Sequence, residues 1–325
     1  MSSIPYSRYL IYPVPWYSFL IVTGVVLALV LACRAERRAG LKKDTMIDLA
    51  LWLLPCGIIG ARLYYVAFSW NQFRNDLLSV FRIWEGGIAI YGGIIGGFAA
   101  LLLFSRRRKI SALLLCDLIA PGLALAQGIG RWGNWFNIEA YGFRVSRASL
   151  CFFPLSVQVP ADGNAWHLAS FFFESVWDLA VFLFLMLSRY RKLREKGDVF
   201  FFYLFLYAAG RLVIEETRTD SLYMGSSVRA SQLLSVLLCF FVFVLYAVRG
   251  LKDGSVSPRK LCALMTVFIL GIAFPLYWSL SGPVPSGWTA SRILLLLSLS
   301  SLLLILSLFL VRFFRPPQEV SHADD

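Results

Sequence analysis

Long runs of apolar residues, separated by short basic loops, dominate this sequence of 325 residues. Several runs of about 20 residues contain no Lys, Arg, Asp or Glu, and a helix of that length crosses the roughly 30 Å hydrocarbon core of a bilayer. The runs are continuous rather than alternating, so they favour transmembrane helices over the strands of a barrel. The pattern therefore predicts an all-α, polytopic integral membrane protein built as a helical bundle.

The apolar pattern divides the chain into three parts. Residues 1–250 form a predicted transmembrane domain of seven spans, residues 251–315 an additional C-terminal hairpin of two spans, and residues 316–325 a polar cytoplasmic tail. The seven spans are about Tyr17–Ala32, Ile47–Phe68, Ile88–Phe104, Leu113–Ile129, Ala169–Leu187, Val199–Ile214 and Ala230–Val248. The hairpin spans are about Leu261–Leu280 and Ile293–Phe314, and a lipid-facing pair is their default interpretation.

The charged residues predict an orientation. They make up 15% of the chain, with 31 Lys and Arg against 19 Asp and Glu, for a net charge of +12. All seven lysines, and clusters such as Arg106–Lys109, fall in loops or helix ends on one side of the predicted topology. Because basic loops stay in the cytoplasm, that side is predicted to be cytoplasmic and the N-terminus extracytoplasmic. The same distribution argues against nucleic acid as a partner.

Cysteine usage gives no sign of a metal centre. Five of the six cysteines lie in apolar spans, and no C-x-x-C pair or metal-ligand spacing occurs. We interpret them as small buried hydrophobes. The sequence therefore predicts no metal site.

Polar residues within or beside the spans gather in one layer. A charge at the centre of a membrane helix costs about 2.5–3.5 kcal/mol on insertion scales, so such residues are retained where they are paired or used. On the predicted topology the layer lies at the boundary of the outer leaflet. Its members are Arg62, Glu85, Arg131, Asn134, Glu139, His167, Glu174, Arg211, Glu215 and Arg218.

The four arginines of this layer suit a phosphate, because guanidinium groups bind its oxygens in a bidentate geometry. At that depth the natural phosphate belongs to a lipid head group. For any single arginine the alternative is snorkelling, or structural pairing with Glu85, Glu139 or Glu215. For the set of four we favour phosphate binding, since four guanidinium groups exceed what structure alone requires.

Two groups of glycines accompany these residues. Gly92-Gly93 and Gly96-Gly97 recur at three- to four-residue spacing in the third predicted span. This spacing predicts a small-residue face for helix–helix packing. Gly128, Gly130 and Gly133 surround Arg131 and allow close approach of the backbone.

Six motifs make the sequence resemble the prolipoprotein diacylglyceryl transferase family. They cover about residues 10–250 in order, and the most specific of them runs from Gly130 to Gly142. The motifs are Gly60–Tyr65, Ile83–Gly97, Asp117–Gly122, Gly130–Gly142, Gly210–Glu215 with Arg218, and Ser231–Ser235.

The resemblance implies a reaction at the outer face of the bacterial cytoplasmic membrane. The lipobox cysteine thiol of an exported prolipoprotein would attack the glycerol carbon that bears the phosphate of phosphatidylglycerol, forming a thioether and releasing glycerol-1-phosphate. The implied partners are phosphatidylglycerol, prolipoproteins bearing a lipobox cysteine, and membrane lipids. No cofactor, metal or nucleotide is implied.

The motif match also implies roles for residues. Arg131 and Arg211 would hold the phosphate, and Asn134 would position the head group. Glu139 would orient Arg131 or accept a head-group hydroxyl, and Tyr17 stands where the family carries a functional tyrosine. The remaining candidates for lipid binding are Gly142, Arg62, Glu215 and Arg218.

Two departures from the family pattern leave the general base open. Tyr91 stands where the family often has His, and a phenol is a much weaker proton acceptor than imidazole at neutral pH. We therefore expect Tyr91 to donate a hydrogen bond and His167 or a glutamate to accept the thiol proton. His167, however, lacks the Pro that usually follows it in the family, and the alternative is a loop residue at the membrane interface.

Two other functions remain as alternatives. A transporter of an anionic lipid would need polar groups through the whole membrane depth, and the inner halves of these spans carry few. A catalytically inactive relative that binds lipid or lipoproteins would account for Tyr91.

Overall fold

The computed structural model describes residues 7–190, 195–219, 223–224, 228–252 and 254, and these residues are mostly helical. Their eight helices are α1 Trp16–Arg38, α2 Thr45–Phe68, α3 Trp70–Phe73, α4 Ile90–Arg108, α5 Ala112–Asn137, α6 Ser170–Tyr190, α7 Asp198–Glu215 and α8 Ala230–Lys252. The described strands form three antiparallel pairs, one before α1 and two between helices: β1 Tyr9–Ile11 with β2 Val14–Pro15, β3 Ser156–Val159 with β4 Ala165–Leu168, and β5 Tyr223–Met224 with β6 Val228–Arg229.

The helical membrane class predicted from the sequence is confirmed. Five helices of the described part of the chain are long and apolar enough to cross a membrane, namely α1, α2, α5, α6 and α8. Helices α4 and α7 coincide with the third and sixth predicted spans. They are shorter than the other five long helices and carry charged residues at their ends. The predicted hairpin, Leu261–Leu280 and Ile293–Phe314, and the polar tail lie outside the described residues.

One predicted boundary is wrong in a way that matters for the site. The apolar pattern placed the end of the fourth span at about Ile129 and a polar segment after it, at about Arg131–His167. The helix α5 instead continues to Asn137, so Arg131 and Asn134 lie on a helix and not in a loop. The packing of this stretch explains the difference: a Cβ on Gly130 would lie 3.0 Å from Ile21, and one on Gly133 would lie 2.5 Å from the ring of Tyr17.

Contacts divide the chain into two compact units. Among the described residues, the N-terminal unit comprises those of Ser7–Gly133 and Asp178–Tyr203, and the C-terminal unit contains Asn134–Trp177 and those between Leu204 and Gly254. The core of the N-terminal unit lies among α1, α2, α4 and α5. Its buried members are Ala32, Ala35, Met46, Leu49, Leu101, Phe104, Leu115, Cys116 and Leu118.

Within the N-terminal unit, α2 and α4 pack backbone against backbone. A Cβ on Gly92 would collide with the carbonyl oxygen of Gly60, and one on Gly96 would collide with that of Cys56. The predicted small-residue face of α4 is therefore confirmed. A Cβ on Gly97 of the same helix would have nothing within 4 Å, so this glycine lies outside the contact.

Carboxylates from neighbouring helices cap two helices of the same unit. Glu36 on α1, only 2% exposed, accepts hydrogen bonds from the backbone N–H groups of Asp44 (3.0 Å) and Met46 (2.7 Å) at the start of α2. Asp117 on α5 accepts from Gly197 (2.6 Å) and Phe200 (2.9 Å) at the start of α7. The first N–H groups of a helix have no partner within it and attract negative charge. Both carboxylates therefore tie two helices together.

The C-terminal unit is built around the β3–β4 hairpin, the first turns of α6, the second half of α7, and α8. The hairpin pairs Ser156 with Leu168 and Val159 with Ala165. The indole of Trp177 on α6 donates to the backbone oxygen of Leu206 at 2.9 Å and packs against Gly210. These two contacts hold α6 against α7.

Substitution of Gly92 by Ala is expected to destabilise the protein by about 1–3 kcal/mol, because the added methyl group overpacks the α2–α4 contact. Thermal unfolding in detergent measures the effect. The matched control is Gly97→Ala, which should be neutral or stabilise by up to about 1 kcal/mol, as expected for Gly→Ala in a helix. Equal melting temperatures for the two variants would contradict this contact.

Candidate active site

Arg211 lies at the centre of a buried charge cluster in the C-terminal unit. Its guanidinium group contacts the carboxylate of Glu174 on α6, and it lies 2.7 Å from a carboxylate oxygen of Glu215, one turn further along α7. Arg218, just beyond α7, is 3.7 Å from the same oxygen of Glu174. Glu174 is 4% exposed and Glu215 is 2% exposed. Charges this deep are tolerated when they are paired.

Residues at the start of α8 complete the cluster. Arg229 donates to the backbone oxygen of Glu215 at 2.5 Å and lies 3.4 Å from the carboxylate of Glu216. The amide of Gln232, which is fully buried, donates to the same carboxylate of Glu216 at 2.8 Å. The arginines Arg211, Arg218 and Arg229 thus face three glutamates, and the six formal charges cancel.

Gly142 joins this cluster to the β3–β4 hairpin. Its backbone N–H donates to Leu168 at 2.7 Å, and it forms an isolated bridge with Arg218. A Cβ at this position would lie 2.5 Å from the backbone oxygen of Thr217 and 2.8 Å from the hydroxyl of Ser170. Glycine is therefore required here by the close approach of two chain segments.

His167 lies on β4 and is 8% exposed. One ring nitrogen is 2.9 Å from the backbone oxygen of Gly142, and the other is 2.8 Å from the carboxylate of Asp162. Both partners are acceptors, so both contacts are hydrogen bonds only when both ring nitrogens carry a proton. The imidazole thus links the Gly142 segment to the turn that carries Asp162. The role of His167 as general base stays a prediction.

Asn134 and Glu139 line a separate cavity of the C-terminal unit, at the end of α5. The other lining residues are Trp135, Ile138, Tyr141, Val157, Gln158 and Phe171. Glu139 is exposed, and one of its carboxylate oxygens accepts a hydrogen bond from the side-chain amide of Asn137 at 3.0 Å. The cavity therefore combines aromatic walls with an amide and a carboxylate, a composition that suits a hydroxylated group.

In the N-terminal unit, Arg131 faces Asp178. The guanidinium Nε lies 4.0 Å from the carboxylate of Asp178 on α6, and the two side chains are 20% and 5% exposed. The ring of Tyr17 on α1 packs against the backbone of Gly133, which lies two residues after Arg131 on α5. The predicted alternatives for the partner of Arg131 did not include Asp178.

Arg62, predicted to bind a lipid phosphate, has a different role in the structure. Its guanidinium N–H groups donate to the backbone oxygens of Val80, Gly86, Gly87, Ser79 and Arg82, and the residue is 6% exposed. A guanidinium group has five N–H donors, and these bonds use all of them. Arg62 therefore holds the chain between α2 and α4 and has no donor left for a phosphate.

Tyr91 is the second residue of α4 and is 40% exposed. Its ring centroid lies 6.4 Å from that of Tyr64 on α2. The residue thus sits at the end of the α2–α4 contact, with part of its surface open.

Sequence reasoning placed Arg211, Glu215 and Arg218 together correctly, but it assigned no role to four charged partners. Glu174 was recognised as a polar residue without a role, and Asp178, Glu216 and Arg229 were not among the candidates. A signal for the first two existed: carboxylates four residues apart in an otherwise apolar span lie on one face of a helix.

Comparison with known proteins identifies the family. The family model described as prolipoprotein diacylglyceryl transferase matches residues 7–248. The chain belongs to the prolipoprotein diacylglyceryl transferase family. The resemblance seen in the sequence is thereby confirmed, and the matched region ends before the predicted C-terminal hairpin.

Three curated relatives, all named phosphatidylglycerol–prolipoprotein diacylglyceryl transferase, agree with this assignment. The one from Limosilactobacillus reuteri (strain DSM 20016) is 44% identical over 250 residues, covering 74% of this chain and 89% of the relative. That from Enterococcus faecalis (strain ATCC 700802 / V583) is 44% identical, covering 73% and 87%. That from Geobacillus kaustophilus (strain HTA426) is 43% identical, covering 73% and 88%.

Gly142→Ala is expected to reduce transfer activity at least tenfold and to cost about 1–3 kcal/mol of stability, because the methyl group must displace Thr217 or Ser170. Activity in detergent–lipid micelles and thermal unfolding give the two readouts. Gly97→Ala serves as the control for a glycine with free space. Unchanged activity and stability in Gly142→Ala would show that the close approach of Gly142 to Thr217 and Ser170 is not needed.

His167→Gln is expected to lower thermal stability while the pH–rate profile keeps its shape, because the imidazole links the Gly142 backbone oxygen to the Asp162 carboxylate. The fall in kcat should stay below the about 10²–10⁴-fold that removal of a general base causes. Asp162→Asn, which alters only the partner of the ring, should act in the same direction. Loss of one limb of the profile at unchanged stability would instead make His167 the base.

Proposed function

We propose that this chain transfers the diacylglyceryl group of phosphatidylglycerol to the lipobox cysteine of exported prolipoproteins. The family match over residues 7–248 supports this activity, as do the names of relatives about 44% identical. The structural observation that carries the proposal is the buried cluster in which Glu174 and Glu215 hold Arg211. A preordered guanidinium is what a phosphate leaving group needs.

The proposed topology has seven spans in the family domain, with α4 and α7 as the third and sixth. The basic clusters at Arg106–Lys109 and at Arg37 and Arg38 support a cytoplasmic location for those helix ends. The N-terminus and the residues of the candidate site then face the outer leaflet. This location suits the bacterial cytoplasmic membrane, since the acceptor cysteine arrives there after export.

The charge balance of the Arg211 cluster suggests how phosphate binds. Three arginines and three glutamates cancel before the lipid arrives, so an incoming phosphate anion competes with Glu174 and Glu215 for Arg211. The carboxylates keep the guanidinium fixed in the unliganded protein, and the phosphate takes over part of its N–H donors. We propose that Arg131, which lies beside Asp178 in the N-terminal unit, also binds a lipid phosphate, as its motif position implies.

The reaction is a displacement at carbon. The cysteine sulfur bonds to the glycerol carbon, the bond from that carbon to the phosphate oxygen breaks, and glycerol-1-phosphate leaves with the electron pair. The thiol proton passes to a base. The guanidinium groups stabilise the negative charge that develops on the phosphate. The cavity beside Asn134 and Glu139 offers an amide and a carboxylate to the hydroxyls of the head group.

Arg131→Ala and Arg211→Ala are each expected to lower kcat/KM at least about 100-fold, since removing one donor to a developing anion has an effect of that size. Radiolabelled phosphatidylglycerol and a lipobox peptide measure thioether formation. Lysine at either position should restore little, because it lacks the planar fork. Arg82→Ala, at an exposed ion pair with Asp76, is the control and should transfer normally.

A peptide with Ser in place of the lipobox Cys should give no product with the wild-type protein. Normal turnover by either arginine variant would exclude that residue from the phosphate site. Failure to restore lipoprotein modification in cells depleted of their own transferase would favour an inactive, lipid-binding relative.

A further inference from the structure

The chain between α2 and α4, residues 69–89, folds back along α2 instead of projecting from its end. We call these residues the α2–α4 loop. The N–H of Ala89 donates to the backbone oxygen of Ala61 at 3.1 Å. The guanidinium group of Arg62 lies over the ring of Phe73, 5.0 Å from its centroid. Both contacts hold the loop beside the last two turns of α2, which ends at Phe68.

Arg62 satisfies the backbone of this loop from inside. Its five N–H groups bind carbonyl oxygens of the loop, at 2.6 Å for Ser79, 2.8 Å for Val80 and 2.7 Å for Gly86 among them. The loop's own tight turns supply further hydrogen bonds, as in the two 3₁₀ segments Leu77–Phe81 and Ile83–Glu85. Irregular backbone is excluded from hydrocarbon unless its polar groups are satisfied within the protein. The bonds from Arg62 and within the loop satisfy many of its backbone groups inside the protein.

The loop exposes three large apolar side chains close together in sequence. Leu78 is 71% exposed, Phe81 74% and Trp84 77%. The neighbouring charges pair with each other, Arg82 with Asp76 at 2.9 Å and with Glu85 at 3.8 Å. Burial of large apolar side chains is favourable, so these three side chains tend to leave water.

We propose that the α2–α4 loop lies in the boundary between acyl chains and head groups, with lipid covering Leu78, Phe81 and Trp84. The partner is the bilayer, because the loop packs beside a helix that is long and apolar enough to cross it. The paired charges place the loop near the head groups and not at the centre. A buried arginine that saturates loop carbonyls makes this location possible for a non-helical segment. The proposal does not depend on the transferase activity.

Photo-crosslinking in vesicles tests the location without changing the native cysteines. Benzoylphenylalanine replaces Leu78, Phe81 or Trp84 in the full-length chain, which is reconstituted in dioleoylphosphatidylcholine. Irradiation should give lipid adducts at all three positions, detected by mass spectrometry. The control position is Ala161, exposed in the polar turn Pro160–Asp162, where the lipid adduct should be severalfold weaker.

Three results would overturn the proposal. Crosslinks to another segment of the chain or to a second copy would show that protein covers these three side chains. The absence of adducts would place them in water. Equal lipid adducts at Ala161 and at the three loop positions would mean that the loop has no special contact with lipid.

A separate experiment tests the role of Arg62. Arg62→Lys keeps the positive charge but cannot reach five carbonyl oxygens, so the lipid adduct at position 81 should fall severalfold. Arg82→Lys, at the exposed ion pair, should leave the adduct unchanged. If Arg62→Lys fails to accumulate, the wild-type crosslinks still decide where the loop lies. An unchanged adduct in a well-folded Arg62→Lys protein would refute the supporting role of Arg62.

Discussion

Guanidinium groups away from water need partners, and the partners available decide what each arginine does. A buried charge left alone costs several kcal/mol, whereas one that is hydrogen-bonded and paired is tolerated. Arg62 meets backbone carbonyl oxygens, Arg131 meets Asp178, and Arg211 meets Glu174 and Glu215. An arginine bound by neutral carbonyl oxygens is fixed in a structural role. An arginine paired with carboxylates can exchange its anionic partner for another anion.

This distinction separates the structural arginine from the functional candidates. All five donors of Arg62 are used by one loop, so a phosphate would have to break that loop. Arg211 is held by two carboxylates on different helices, an arrangement that orders the guanidinium without enclosing it in backbone. The same reasoning applies to His167, whose ring lies between the Gly142 backbone oxygen and the Asp162 carboxylate and is positioned by both. The chemistry of each group thus follows from its neighbours and not from its residue type.

Close backbone packing supports the charged residues within each unit. Gly142, the last residue of the Gly130–Gly142 motif, allows the chain to approach Thr217 and Ser170 beside the Arg211 cluster. Gly60 and Gly92 allow α2 and α4 to contact each other beside Arg62. Helix ends that would otherwise carry bare N–H groups are capped by Glu36 and Asp117. Small residues and capping carboxylates thus let helices come close enough for their buried polar groups to find partners.

The sequence by itself determined the membrane class, most helix positions, the family, and the small-residue face of α4. These depend on local composition and on spacing along one helix, which a single chain displays directly. It also named Arg211, Glu215 and Arg218 as one group, because they are neighbours along α7 and the residues that follow it.

Only the tertiary structure decided the partners of the buried charges. Arg62 binds the α2–α4 loop, Asp178 faces Arg131, and Arg229 contacts the end of α7. Each of these contacts joins residues that are distant in sequence. The extension of α5 to Asn137 has the same origin, since packing against Tyr17 and Ile21 overrides the low helix propensity of Gly130 and Gly133. A hydrogen bond or ion pair is set by distances of a few ångströms between helices, and no pattern within one helix contains those distances.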